Sequence, residues 1–257
     1  MSDFVPAPER QKQIHSLLMQ QGRLSVAEIV KHFEISEATA RRDLESLASQ
    51  GKAQRVHGGV ISIEQAPPES PILERENEQA DEKKRIGLSA ANLVADKETV
   101  FLGSGTTVLE VARNLRNRKN LTVITNSLPV LNALAGAEGI TVISLGGMLR
   151  DSEMSFIGHI TEQALTEVRA DKVIMGTRGL SLEHGLTNDY LQETLTDRAI
   201  LKIGREVILV ADHTKINRVA TALLAPLDSM QTFVTDSKAD KKFITALKKQ
   251  GIQIVIA

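Results

Sequence analysis

The chain contains no cysteine. That excludes disulfides and thiolate metal sites, and it fits a reducing compartment. There is no tryptophan, one tyrosine and six phenylalanines. Binding of single strands by base stacking needs aromatic platforms, so that mode is set aside. Neither sign of charge dominates: 31 Lys and Arg stand against 32 Asp and Glu, a net charge of −1. A nucleic-acid coat protein is strongly basic. A protein that touches DNA through one small module need not be, because only the field over the contact face matters. No uncharged apolar stretch is long enough to span a bilayer. The start, MSDFVPAPERQKQ, lacks the apolar core of a secretory signal, so a cytoplasmic location and no membrane partner are expected.

What is present suits a folded protein. Of the 257 residues, 42 % are hydrophobic and 25 % charged, close to ordinary globular usage. The length allows one large domain, or a small one joined to a medium one.

Residues 8–63 read as a small module of three helices and a hairpin. Ile14, Leu17 and Leu18 fall on one helical face, and Gly22 is a candidate stop. Ser25 and Glu28 have capping-box spacing at the start of a second helix, with Ala27, Ile29, Val30 and Phe33 on its inner side. Ser36 can cap a third helix, SEATARRDLESLASQG, whose Ala40, Leu44 and Leu47 face inward and which Gly51 closes. Two helices joined by a tight turn make a helix-turn-helix. The first turns of the third helix carry Ser36, Thr39, Arg41 and Arg42, the residue types that hold phosphates and base edges. Asp43 and Glu45 are expected to turn away from DNA or pair with these arginines. In QRVHGGVIS, Gly58-Gly59 reads as the turn of a hairpin wing, from which Arg55 and His57 reach the DNA backbone.

Residues 64–82, EQAPPESPILERENEQADE, differ in composition: three prolines, then a polar, charged run. This is the expected linker. Arg75 and Glu76 lie in it without an assigned role.

Residues 83–257 alternate apolar runs with helical patterns. ETVFL, LTVIT, ITVISL, KVIMG, EVILVA, TFVT and IQIVIA are rich in Val and Ile, as buried strands are. Helical stretches separate several of them, which predicts an α/β domain with a mostly parallel sheet. Ligands of such sheets sit beyond the carboxyl ends of the strands. The loops there carry Gly103, Ser104, Gly105, Thr106 and Thr107; Asn126; Gly146, Gly147 and Arg150; Thr177, Arg178 and Gly179; and Asp212 with Lys215. The glycines allow close backbone approach, and a helix starting at Thr106-Thr107 offers its N–H groups to an anion. GSGTT is neither a Walker motif nor a dinucleotide fingerprint. The set suits a small, hydroxylated, anionic ligand.

The order of LSVAEIVKHFEISEATARRDLESLASQG and RVHGGV resembles the DNA-binding domain of the DeoR family of bacterial transcriptional regulators. GSGTT, TNSLPV, LGGMLR, GLT and the Asp212–Lys215 pair are similar to the DeoR effector domain. That domain is related in fold to ribose-5-phosphate isomerase and CoA transferases. The resemblance implies DNA contacts by Ser36, Thr39, Arg41 and Arg42, a double-stranded operator, a sugar phosphate or related metabolite that relieves repression, and a homo-oligomer. It implies no cofactor, no metal and no catalytic residue. The alternative is a phosphosugar isomerase or CoA-transferase-like enzyme fused to a DNA-binding module. Against it, the acidic loop of the isomerase is replaced by GTRGLSLEHG, and neither Glu183 nor Glu193 sits in a recognisable nucleophile motif.

Overall fold

A computed structural model describes residues 6–21, 23–49, 52–56, 58–62, 64–65 and 70–257. Gly22, Gly51 and His57, assigned above as two helix stops and a wing contact, lie outside the described residues. The chain divides into two compact units, residues 1–65 and 66–257.

In the first unit, α1 (Ala7–Gln21), α2 (Val26–Phe33) and α3 (Glu37–Ser49) enclose a core of Ile14, Leu18, Ile29, Ala40, Leu44 and Leu47. The capping box at α2 forms: Ser25 Oγ accepts from Glu28 N at 3.2 Å, and Ser25 N donates to the Glu28 carboxylate at 2.7 Å. Ala27 is exposed, and Val26 takes the buried place expected for it. Two strands, β2 (Ala53–Val56) and β3 (Gly59–Ser62), form the hairpin. Val56 pairs with Gly59, so Gly59 already belongs to a strand. A third strand, β1 (Arg23–Ser25), pairs with β3 on its other side. It approaches so closely that a Cβ on Gly59 would lie 2.2 Å from Leu24 O. The second glycine of the pair thus serves strand packing rather than the turn.

Of the two expectations for Asp43, it follows the first: it turns away from the exposed face of α3 and does not pair with Arg41 or Arg42. It is buried, accepts from Arg10 Nε at 2.6 Å and from Gln11 Nε2 at 3.0 Å, and ties α3 to α1. Its position one residue before Leu44 puts it on the inner stripe of α3, which spacing alone could have shown.

The first unit ends on a two-residue strand, β4 (Glu64–Gln65), and the second opens with α4 (Ile72–Arg75) and α5 (Ala80–Ala91). Both helices begin inside the stretch expected to be linker. Seven runs form one sheet: β5 (Thr99–Leu102), β6 (Leu121–Thr125), β7 (Ile140–Ser144), β10 (Ala170–Met175), β13 (Gly204–Val210), β16 (Thr232–Thr235) and β17 (Gln253–Ile256). These are the seven apolar runs read from the sequence. Their order is β17-β16-β13-β10-β5-β6-β7, with neighbouring strands parallel. Between β7 and β10 lie the hairpin β8 (Met148–Arg150) and β9 (Ser155–Ile157) and helix α8 (His159–Thr166). A small antiparallel sheet joins β11 (Gly179–Ser181), β12 (Gly185–Asn188) and β15 (Ala222–Ala225). The sequence reading missed these insertions, whose strands are three or four residues long. Helices α6 (Thr106–Leu115), α7 (Leu128–Leu134), α9 (Leu191–Leu201) and α10 (Lys241–Lys249) complete the fold, with β14 (Arg218–Val219).

Both faces of the sheet are covered. Phe101, Val173, Leu209 and Phe233 pack into one core, while Val100, Leu102, Ile174, Ile208 and Val234 pack into another. Alternate residues of one strand point to opposite faces. A strand buried on both faces therefore reads as a continuous apolar run, as the inner five do; the edge strands β7 and β17, half-buried or exposed, were legible from their Val and Ile content.

The strand order decides where a ligand fits. The chain runs from β5 outward through β6 to β7, then returns to β10 on the other side of β5 and proceeds to β17. The reversal opens a crevice between the loops that follow β5 and β10.

Candidate functional site

The first site is the exposed face of α3 and the adjoining wing. Ser36 caps α3: its Oγ accepts from Thr39 N at 3.2 Å and lies 2.8 Å from Thr39 Oγ1. Arg41 is exposed and pairs with Glu37 one turn earlier, at 2.6 Å. Exposed i,i+4 pairs contribute little, so Arg41 can exchange Glu37 for a stronger partner at small cost. Arg42 is exposed, and Arg55 on the wing donates to Arg41 O at 3.5 Å. The structure therefore brings Ser36, Thr39, Arg41 and Arg55 to the outer side of α3, opposite the Ala40, Leu44 and Leu47 stripe.

The second site lies in the crevice. A cavity partly open to solvent is lined by Gly103 to Thr107 after β5, Thr177 and Arg178 after β10, and Asp212, Thr214 and Lys215 after β13. Gly105 precedes α6 with φ +105, and no side chain caps that helix. The N–H groups of its first turn are left for an outside acceptor, and the helix dipole favours an anion there. By contrast, Ser127 caps α7 and Asp240 caps α10.

Cations surround this loop. Burial pushes the Lys215 ammonium below its ordinary pKa, and the Arg178 guanidinium adds to the effect while Asp212 opposes it. Lys83 is lowered too, first by burial, with Lys215 contributing, although Asp212 pulls it upward. Several like charges held out of water are costly, and an anion among them relieves that cost.

Several expected residues take other places. Asp212 lines the cavity, but its Oδ1 accepts from Thr214 N at 2.9 Å and shapes the short turn that carries Lys215. Asn126 does not line the cavity. Its Nδ2 donates to Phe156 O at 2.9 Å and its O accepts from Phe156 N at 2.8 Å, so it fastens the end of β6 to the β8–β9 hairpin. Its Oδ1 is buried without a partner among the described residues. Gly146 and Gly147 follow the edge strand β7 and do not line the cavity. Gly147 packs against α8, where a Cβ would meet Thr161 Oγ1 at 2.1 Å. Arg150 reaches the cavity only through Glu193, with which it forms a buried ion pair while its guanidinium lies 4.7 Å over the Tyr190 ring.

Six charged residues of the cavity were absent from the expected set: Arg75, Glu78, Lys83, Glu153, Glu193 and Asp197. Arg178 lines the cavity from the GTRG loop singled out above. Arg75 and Lys83 come from α4 and α5, ahead of the first strand, and a search of loops after strands passes over them.

Residues 10–66 match the DeoR-like helix-turn-helix domain, and residues 78–237 match the DeoR C-terminal sensor domain. The chain belongs to the DeoR family. Its DeoR relatives include the transcriptional repressor AccR of Agrobacterium fabrum, 34 % identical over 256 residues, covering 95 % of this chain and 99 % of that protein. The glycerol-3-phosphate regulon repressor of Escherichia coli is 34 % identical over 246 residues, covering 96 % and 97 %. The HTH-type transcriptional regulator IolR of Bacillus subtilis is 32 % identical over 248 residues, covering 96 % and 98 %. Among solved structures, ribose 5-phosphate isomerase A from Methanocaldococcus jannaschii is similar with 18 % identity and a TM-score of 0.41, covering 54 % of this chain and 55 % of that one. As a DeoR-family protein the chain is a DNA-binding transcriptional regulator, and the enzyme alternative is set aside. Among the described residues no helix is long and apolar enough to cross a membrane.

Proposed function

We propose that this DeoR-family protein is a cytoplasmic repressor whose hold on a double-stranded operator is modulated by a phosphorylated sugar or polyol. One observation carries the reading. The uncapped start of α6, with its Gly-Ser-Gly turn, opens into a crevice that Lys83, Arg178 and Lys215 also line. Backbone N–H groups and cations converge on one place, as a phosphate requires. Thr107, Asn188 and Asp197 line the same cavity and supply partners for hydroxyls. A relative named for the glycerol-3-phosphate regulon fits a ligand of this class. On the DNA side, Arg41 and Arg42 read or grip the major groove while Ser36 and Thr39 hold phosphates and Arg55 supports them from the wing. Single small modules bind DNA too weakly to repress, so the active form is a homo-oligomer with paired readers.

The effector reading is tested by thermal unfolding against a panel of phosphorylated sugars and polyols beside their unphosphorylated parents. A ligand at a hundred times its Kd adds about 2.7 kcal/mol to native-state stability. At least one phosphorylated compound should raise the melting temperature, and its parent should not. A shift from parents alone would overturn the assignment. The reader is tested separately: Arg41→Ala should weaken binding to the protein's own promoter fragment by about ten- to a hundredfold, the worth of one bidentate base contact. Wild-type affinity in that variant would remove Arg41 from the interface.

A further inference from the structure

Glu153 is a carboxylate placed where an anion is expected to bind. It sits in the turn between β8 and β9, is 4 % exposed, and lines the same cavity as the phosphate loop. A Cβ added to Gly105 would lie 3.8 Å from Glu153 Oε1, so the carboxylate hangs beside the uncapped start of α6. Its Oε2 accepts from a terminal nitrogen of Arg75 in a buried ion pair. Arg75 also lines the cavity, and its Nε donates to Ser70 O at 2.9 Å. Around the pair, Ile72 N donates to Ser152 O at 2.8 Å and Lys83 Nζ donates to Arg75 O at 2.6 Å.

We infer that Glu153 is an internal competitor for the effector, holding the Arg75 guanidinium until a ligand phosphate takes it. This rests on the phosphate site proposed above and adds what happens there on binding. A guanidinium donates to two oxygens side by side, and a phosphate offers the same geometry as a carboxylate with more charge. A phosphate on Gly105 and the first turn of α6 would lie against the Glu153 carboxylate, and like charges at such range repel. The arriving anion therefore gains Arg75 and displaces Glu153, and the cost of that displacement is subtracted from its affinity. The exchange takes place on α4, the first helix after the segment that leads out of the DNA-binding unit. An ion pair that changes partner there gives the ligand a differential contact between two states, which any coupling needs.

The test uses inorganic phosphate and the full-length protein, with binding followed by calorimetry. Glu153→Gln removes the competing charge and leaves a side chain of the same length. It should bind phosphate roughly tenfold tighter than wild type, the worth of one hydrogen bond to a charged group. Glu153→Asp keeps the charge on a shorter reach and is the second variant should the first fold poorly; its affinity should fall between the two. Equal or weaker phosphate binding in these variants would mean that the pair only braces the fold, and the inference fails. Ser104→Glu separates the two readings. If wild type binds phosphate and this variant does not, the site stands whatever Glu153 does. If wild type fails to bind phosphate at all, or Ser104→Glu binds it as well as wild type does, the site itself falls, and the role of Glu153 with it.

Discussion

Ser104→Glu leaves the protein folded, bound to its operator and unresponsive to its effector. The variant puts a carboxylate into the Gly-Ser-Gly turn, beside N–H groups that no side chain caps. Its effect on the fold is small. Ser104 is half-exposed, and a negative charge at a helix N-terminus is favourable by about 0.3–1 kcal/mol. Its effect on the ligand is large. The new carboxylate takes up the N–H groups and the field of Lys215 and Arg178, and it repels a dianion at contact distance. Loss of more than a hundredfold in affinity, about 2.7 kcal/mol or more, follows from removing one such charged site. The measurement is a thermal-shift titration with the best phosphorylated ligand, alongside promoter binding with and without it. A wild-type shift and a wild-type response would show that the turn is only a strand-to-helix connection.

The second large effect is expected far from any ligand. Asp43→Ala removes the carboxylate that Arg10 and Gln11 share beneath α3. Breaking a buried ion pair from one side costs about 3–5 kcal/mol, because the remaining charge loses its counterpart while still held from water. A unit of about 65 residues has only about 3–10 kcal/mol in all. The DNA-binding unit should therefore unfold at least roughly 12 °C lower, and promoter binding should be lost at physiological temperature. The sensor unit carries its own two cores and should keep its melting transition and its effector shift. Scanning calorimetry separates the two. An unmoved first transition would mean that Arg10 finds water or another partner when Asp43 goes.

Much of this protein was determined by its sequence alone. The seven strands were visible because each is a short run rich in Val, Ile, Leu or Phe; the inner ones are largely buried, while the edge strands β7 and β17 are half-buried or exposed. The reader was visible because capping boxes, inward leucines and paired arginines act over three or four residues, within reach of one helical turn. The loop proposed to hold phosphate was visible for the same reason: Gly103 to Thr107 is a local signal at a strand-to-helix junction. Tertiary structure decided the rest. Strand order alone sets which loops share a crevice, and it left Gly146 and Gly147 at the sheet edge while placing the turns after β5, β10 and β13 together. It also drew Arg75 into the cavity from a stretch whose composition reads as linker, and Lys83 from the helix that follows it. Asn126 and Arg150 have the right chemistry for a ligand but are engaged by the β8–β9 hairpin and by Glu193. A side chain's type is written locally, whereas its partner is fixed by contacts between residues tens of positions apart, and those exist only once the sheet has formed.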